Sequence, residues 1–203
     1  MKVGIIDYGM GNINSIIGAL EHLKVQNIIY SFQEKELQNC DKLILPGVGA
    51  FNEAMTEIYS RHLEKTIKLL VEDNLKPILG ICLGMQLLTT LSYENKKTKG
   101  LGLIKARVSK FSTNNLKIPH IGFNQVKASS KSKLFKGIDD NSDFYFVHSY
   151  RIKKIEESIN SRCFYGEEFV SSFEKENITG VQFHPELSQQ NGIKLLSNFI
   201  YNF

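Results

Sequence analysis

Along the first half of the chain, short β-branched runs alternate with stretches whose apolar positions recur at helical spacing. KVGIID reads as a buried strand, and INSIIGALEHL follows it as an amphipathic helix. NIIYS, a short polar helix around EKELQ and the strand DKLILP come next. A long helical stretch is predicted over roughly residues 50 to 74, then the strand KPILGI and the helix MQLLTTLSY. This order predicts a parallel sheet covered on both faces. Ligands of such sheets bind at the carboxyl ends of the strands.

The second half changes character. LIKARVSKF, HIGFNQVKA, DFYFVHSYRI, RCFYGEEFVSSF and ITGVQF are strand-like and are separated by turns rather than helices. They predict an antiparallel or mixed section packed against the parallel one. In NGIKLLSNFIYNF, Ile193, Leu196, Phe199, Ile200 and Phe203 fall near one face, so a closing helix docks on the core. The expected fold class is α/β, a mostly parallel central sheet flanked by helices with an added antiparallel section. Without repeats or linkers, residues 1–203 read as one domain.

Composition narrows the function. With 25 basic against 21 acidic residues the net charge is only +4, and the lysines are scattered, which gives nucleic-acid binding little support. Three cysteines at unrelated spacings argue against a disulfide framework and for a reducing compartment. No Cys/His pair has zinc-ligand spacing, so neither a metal nor a cofactor is expected. The apolar run of MKVGIIDYG is too short for a secretory leader and no stretch is long enough to span a membrane, so the expected location is the cytoplasm.

The chemistry concentrates in GICLGMQ, residues 80 to 86, where a strand gives way to a helix. Gly80 and Gly84 flank Cys82 at the two positions that a tight nucleophile elbow crowds. The helix N-terminus favours a thiolate, and the Leu83 N–H is placed as an oxyanion donor. A free cysteine is otherwise a small buried hydrophobe, so the elbow needs a base. His22 and His62 lie in helical stretches, and His120 and His148 suit core positions of the strand-rich half. His184 follows ITGVQF at a strand's carboxyl end, with Pro185 to stiffen the turn and Glu186 to fix the imidazole tautomer. Cys82, His184 and Glu186 thus fill the roles of a triad.

GICLGMQLL together with GVQFHPE resembles the signature pair of the class I glutamine amidotransferases. The resemblance implies that Cys82 attacks the side-chain amide of glutamine, that His184 protonates the departing ammonia, and that water hydrolyses the thioester. LPGVGAF resembles the family's oxyanion loop, with the Gly47–Val48–Gly49 segment giving the second amide. The family's glutamine contacts fall on Gln86, Glu94, Ser149 and Tyr150, the last two mainly through backbone groups.

GMGNINS, IPHIGFN, YFVHSY and NGIKLLSNF resemble one branch, the glutaminase subunits of imidazole glycerol phosphate synthase. That branch implies a (β/α)₈-barrel cyclase as partner in a heterodimer, because free ammonia is lost as ammonium in water. Asn12, His120, Phe123, Tyr145 and Leu187 are the positions it puts near the interface. Two of them depart from the branch: Leu187 stands for a lysine and Phe123 for a tryptophan. Leucine makes no ion pair, which leaves open a related glutaminase feeding another synthase, such as a sugar amidotransferase. A thiol hydrolase, a chaperone-like protein and a non-catalytic regulatory subunit are the readings of a different class.

Overall fold

The computed structural model describes residues 1–112 and 116–203. Its parallel half runs β1 (Lys2–Ile6), α1 (Ile13–His22), β2 (Asn27–Ser31), α2 (Glu34–Gln38), β3 (Lys42–Leu45), α3 (Phe51–Ser60), α4 (Leu63–Lys68), β4 (Ile78–Ile81) and α5 (Leu83–Leu87). There follow β5 (Thr89–Ser92), β6 (Thr98–Lys99), β7 (Ile104–Lys110), β8 (His120–Lys127), β9 (Ser142–His148) and β10 (Tyr150–Ile152). β11 (Ile159–Tyr165), β12 (Glu167–Lys175), β13 (Ile178–Val181) and α6 (Gln189–Asn202) complete the chain.

Nine strands form one sheet in the order β2-β1-β3-β4-β13-β12-β11-β8-β9. Of the turn-linked strands, β7 and β10 join a second sheet, a separate section as the pattern predicts, but β8, β9, β11, β12 and β13 do not pack against the parallel sheet. They extend it edge to edge, because β13 pairs parallel with β4 and antiparallel with β12. A second sheet, β10-β7-β5-β6, stands apart. The side chains of β3 show the two-residue period: Leu43 and Leu45 enter the core shared with α3, α4 and the small sheet, and Ile44 the core under α1 and α6. Leu196, Phe199 and Ile200 of α6 are buried there, with Ile193 and Phe203 packed at the edge.

Two helices predicted from the pattern are shorter in the structure. The stretch over residues 50 to 74 breaks after Ser60, where His62 takes a left-handed conformation (φ 58°), and its last turn, Leu69–Asp73, is a π-helix. The helix after Cys82 stops at Leu87, because Thr89–Ser92 pairs with β7 and β6 as a strand. The β-branched Thr89 and Thr90 suit that pairing better than a helix. DFYFVHSYRI also divides: the chain leaves the large sheet at His148 and enters the small one at Tyr150, with Ser149 between them.

Candidate active site

Sheet register brings distant motifs together. Gly80 of β4 lies opposite Gly180 of β13, and Ile81 opposite Val181, so the residues leaving the two strands emerge side by side. The Cys82 N–H donates to the Val181 carbonyl at 2.8 Å. Cys82 itself sits in a strained conformation, φ 53° and ψ −109°, at the entry to α5. The flanking glycines allow that turn. A Cβ on Gly84 would stand 1.8 Å from the Leu45 carbonyl oxygen, and one on Gly80 would stand 2.7 Å from the Met85 nitrogen.

His184 is three residues past β13 and is fixed from two sides. Its N–H donates to the Tyr145 carbonyl at 2.8 Å. Its carbonyl accepts from the Ser188 hydroxyl at 2.6 Å, and that hydroxyl in turn accepts from the Tyr145 N–H at 2.9 Å. Pro185–Leu187 forms a single 3₁₀ turn that points Glu186 back at the ring, Nδ1 to Oε1 2.8 Å. Burial opposes a charged imidazole here, but the Cys82 sulfur and the Glu186 carboxylate outweigh it and push the His184 pKa up to about 10. His184 Nε2 has no hydrogen-bond partner among the described residues.

A cavity of about 340 Å³ opens over the sulfur, lined by Val48, Gly49, Cys82, Leu83, Gln86, Glu94, Ser149, Tyr150 and His184, with Pro119, Val147 and His148. Gly49 takes φ +97° in the loop after β3, a conformation that glycine adopts without strain. The loop is anchored from below by the buried Tyr8, whose hydroxyl donates to the Pro46 carbonyl at 2.7 Å. Glu94 accepts the Phe51 N–H at 2.9 Å, which caps α3, and burial holds its carboxyl above the usual range. Glu186 lies behind His184 and lines a different hollow between α1 and α6.

The groups that the site residues have free differ from those expected at Gln86, Tyr150 and His120. Both N–H bonds of the Gln86 amide are taken, by the Tyr150 carbonyl at 3.0 Å and by Gln182 Oε1 at 2.9 Å, so Gln86 offers the cavity only an oxygen. The Tyr150 carbonyl also accepts from His148 Nδ1 at 2.8 Å, which commits both of its lone pairs within the protein. His120 is buried beneath the β8–β9 surface and presents no face to a partner. Asn12, Phe123 and Leu187 are exposed, and Tyr145 is half-buried with its ring edge-on to Phe123 at 5.5 Å. Gln182 lies within GVQFHPE and Ser188 just beyond it; the bonds of Gln182 to Gln86 and of Ser188 to Tyr145 join segments that only the sheet register brings together. Among the described residues no His/Cys/Asp/Glu group is arranged to hold a metal.

The profile of the glutamine amidotransferase class-I family matches residues 4–203. The chain belongs to that family. A relative from Campylobacter jejuni strain RM1221, "Imidazole glycerol phosphate synthase subunit HisH 1", is 46% identical over 199 residues, covering 98% of each chain. The HisH subunit of Aquifex aeolicus is 44% identical, covering 98% of this chain and 96% of its own. That of Methanocaldococcus jannaschii is 46% identical, covering 98% of both. A crystal structure of a glutamine amidotransferase superposes with TM-score 0.78 at 17% identity, covering 98% of this chain and 97% of its own. PurLQS from Thermotoga maritima gives 0.72 at 19%, covering 99% and 98%. At those identities the superpositions speak for the glutamine amidotransferase fold alone. No helix among the described residues is long and apolar enough to cross a membrane.

Proposed function

We propose that this amidotransferase is the glutaminase subunit of an imidazole glycerol phosphate synthase, carried by residues 1–203 as a single domain. The observation that carries this reading is the cavity in which Cys82 and His184 meet Gln86 and Glu94, in a chain 44–46% identical to HisH subunits over nearly its full length. Glutamine enters with its α-ammonium between the Gln86 oxygen and the Glu94 carboxylate. The Cys82 thiolate adds to the γ-carboxamide carbon, and the oxyanion that forms is met by the Leu83 amide and an amide of the Val48–Gly49 loop. The His184 imidazolium, held by Glu186, gives its proton to the departing nitrogen, and ammonia leaves a γ-glutamyl thioester. Water, deprotonated by His184, then releases glutamate and restores the thiolate.

The ammonia passes to a (β/α)₈-barrel cyclase subunit, which makes imidazole glycerol phosphate and aminoimidazole carboxamide ribotide in histidine biosynthesis. The exposed Phe123, with Ile121 and Val147 beside it, supports docking on the β8–β9 face. Cys40, Cys82 and Cys163 are all free thiols, which supports a reducing compartment, the cytoplasm.

The test is glutamate release from glutamine by the chain alone, with a histidine-pathway cyclase and its nucleotide ligand, and with Cys82→Ala. Stimulation by the cyclase that the mutant abolishes is the expected result. No stimulation and no binding, with Cys82 still labelled by a glutamine-like affinity reagent, would keep the chemistry and point to another synthase.

A further inference from the structure

The Tyr150 carbonyl is the centre of a polar network whose hydrogen-bond directions are all determined. His148 Nδ1 stands 2.8 Å from that oxygen, and a carbonyl only accepts, so Nδ1 carries a proton. Burial pushes the pKa of His148 down to about 3 and that of His120 to about 4, so each ring is neutral, with one donor and one acceptor nitrogen. His148 Nε2 is therefore an acceptor, and His120 Nδ1, 3.0 Å away, donates to it. His120 Nε2 is left to accept from the Asn124 amide nitrogen at 3.3 Å. On the other side of the carbonyl, Gln86 donates to Gln182, whose own Nε2 then faces the Cys82 sulfur at 3.8 Å.

Packing holds this arrangement in place. His120 is stacked between Phe146 and Tyr165, with ring centroids 4.9 and 4.0 Å away and interplanar angles of 22° and 18°. Gln182 has no exposed surface. At the far end, Asn124 also donates to the Phe164 carbonyl at 3.1 Å, tying the network to β11, and Asn124 follows the exposed Phe123 directly in β8.

We propose that Asn124, His120 and His148 are positioning residues that transmit the setting of strand β8 to the Cys82 nucleophile, through the shared Tyr150 carbonyl and the Gln86–Gln182 amide pair. This rests on the reading of Cys82 as the nucleophile, but it is scored on thiol alkylation, so a failure of glutamine turnover is seen separately. A displacement of β8 would move the amide that donates to the sulfur, and with it the reactivity of Cys82.

The test is a double-mutant cycle read by mass-mapped alkylation of Cys82 with iodoacetamide. His120→Phe keeps the aromatic stack and removes the donor to His148; Gln182→Met removes the donor to the sulfur. Each is expected to slow alkylation about fivefold. Because both interrupt one chain, the double variant is expected to be no slower than the worse single variant. Independent effects multiplying to about 25-fold, or no effect of His120→Phe, would overturn the proposal. Histidine ¹⁵N NMR of the unaltered protein gives a second reading that needs no variant. Both rings are expected as the neutral Nδ1–H tautomer at pH 6; an Nε2–H tautomer or a charged ring at His148 would overturn it.

Discussion

His184 Nδ1 lies 2.8 Å from Glu186 Oε1, and both side chains are shut away from solvent. This pair, with the Cys82 sulfur, keeps the imidazole protonated to about pH 10 against the opposing effect of burial. The folded-state pKa is raised above its unfolded value near 6.5, so the folded chain binds the extra proton. The stability this contributes is fully present below pH 6.5 and is lost as pH rises through about 10. Urea midpoints measured between pH 6 and 10 should fall in the wild type. Glu186→Gln, which keeps an oxygen but removes the charge, should flatten that slope and shift the alkaline limb of glutaminase activity to lower pH. An unchanged slope would mean that Glu186 does not charge the ring.

A glycine of the elbow and a glycine of α1 differ sharply in what they tolerate. Gly84→Ala puts a Cβ 1.8 Å from the Leu45 oxygen, a backbone atom that cannot step aside. The expected cost is about 3 kcal/mol or more, with loss of Cys82 reactivity. Gly18, inside α1, has nothing within 4 Å of an added Cβ. Gly18→Ala should stabilise by about 0.5–1 kcal/mol through helix propensity. Thermal unfolding of the two variants should move in opposite directions.

The reach of sequence reasoning follows from the same elbow. Gly80, Cys82 and Gly84 are legible because a tight turn restricts three nearby positions, and His184 with Glu186 because Pro185 and a two-residue offset mark the turn. The alternation of strands and helices gave the parallel half for the same local reason. Gln182, Ser188 and the His120–His148 pair were not legible as they act in the structure, since each depends on which strands lie side by side. The division of LLTTLSY into the end of a helix and a strand is not legible locally, because its partners, β7 and β6, lie further along the chain. The resemblance of IPHIGFN puts His120 near the interface. Strand alternation sends it inward while Ile121 and Phe123 face out.

Arg151 is buried one residue past Tyr150, at the point where the chain joins the small sheet. Its guanidinium meets Glu167 of β12 at 2.5 Å, the Ser112 hydroxyl at 3.1 Å and the Ser109 carbonyl of β7 at 3.1 Å. It thereby ties both sheets beside the cavity. Arg151→Ala leaves Glu167 with only the Ser112 N–H and hydroxyl and the exposed Lys153 as partners, and should cost about 3 kcal/mol in denaturant unfolding. Arg151→Met with Glu167→Leu, which removes both charges, should recover much of that loss. Equal losses in the single and double variants would show that packing rather than the charge pair is what matters.

Glu94 separates a structural role from a binding role. Glu94→Gln keeps an oxygen for the Phe51 N–H at the start of α3 and removes the charge that the proposed binding mode sets against the α-ammonium. Unfolding midpoints should stay within about 0.5 kcal/mol of the wild type. The KM for glutamine should rise about tenfold or more, with a smaller change in kcat, as expected when a binding interaction common to ground and transition states is lost. A large drop in stability with KM unchanged would reduce Glu94 to a helix cap.

Phe123 and Tyr145 occupy opposite positions on β8 and β9, with their rings edge-on at 5.5 Å and Phe123 about half exposed. Ile121 and Val147 pair in the same register and are also exposed, so this edge of the large sheet carries an apolar stripe that the described residues leave uncovered. An aromatic at the centre of such a stripe is the kind of residue that dominates binding energy, so Phe123→Ala should weaken cyclase binding about 10- to 100-fold. Leu187→Lys, which places a charge at the exposed rim, should act mainly on the association rate and its salt dependence. Alkylation of Cys82 in the isolated chain should be unchanged by Leu187→Lys, since Leu187 is exposed and is not among the residues that line the cavity. Titration calorimetry of each variant against the cyclase gives the affinities. If Phe123→Ala binds as the wild type does, the partner docks on another face, and the departures at positions 123 and 187 lose their bearing on partner choice.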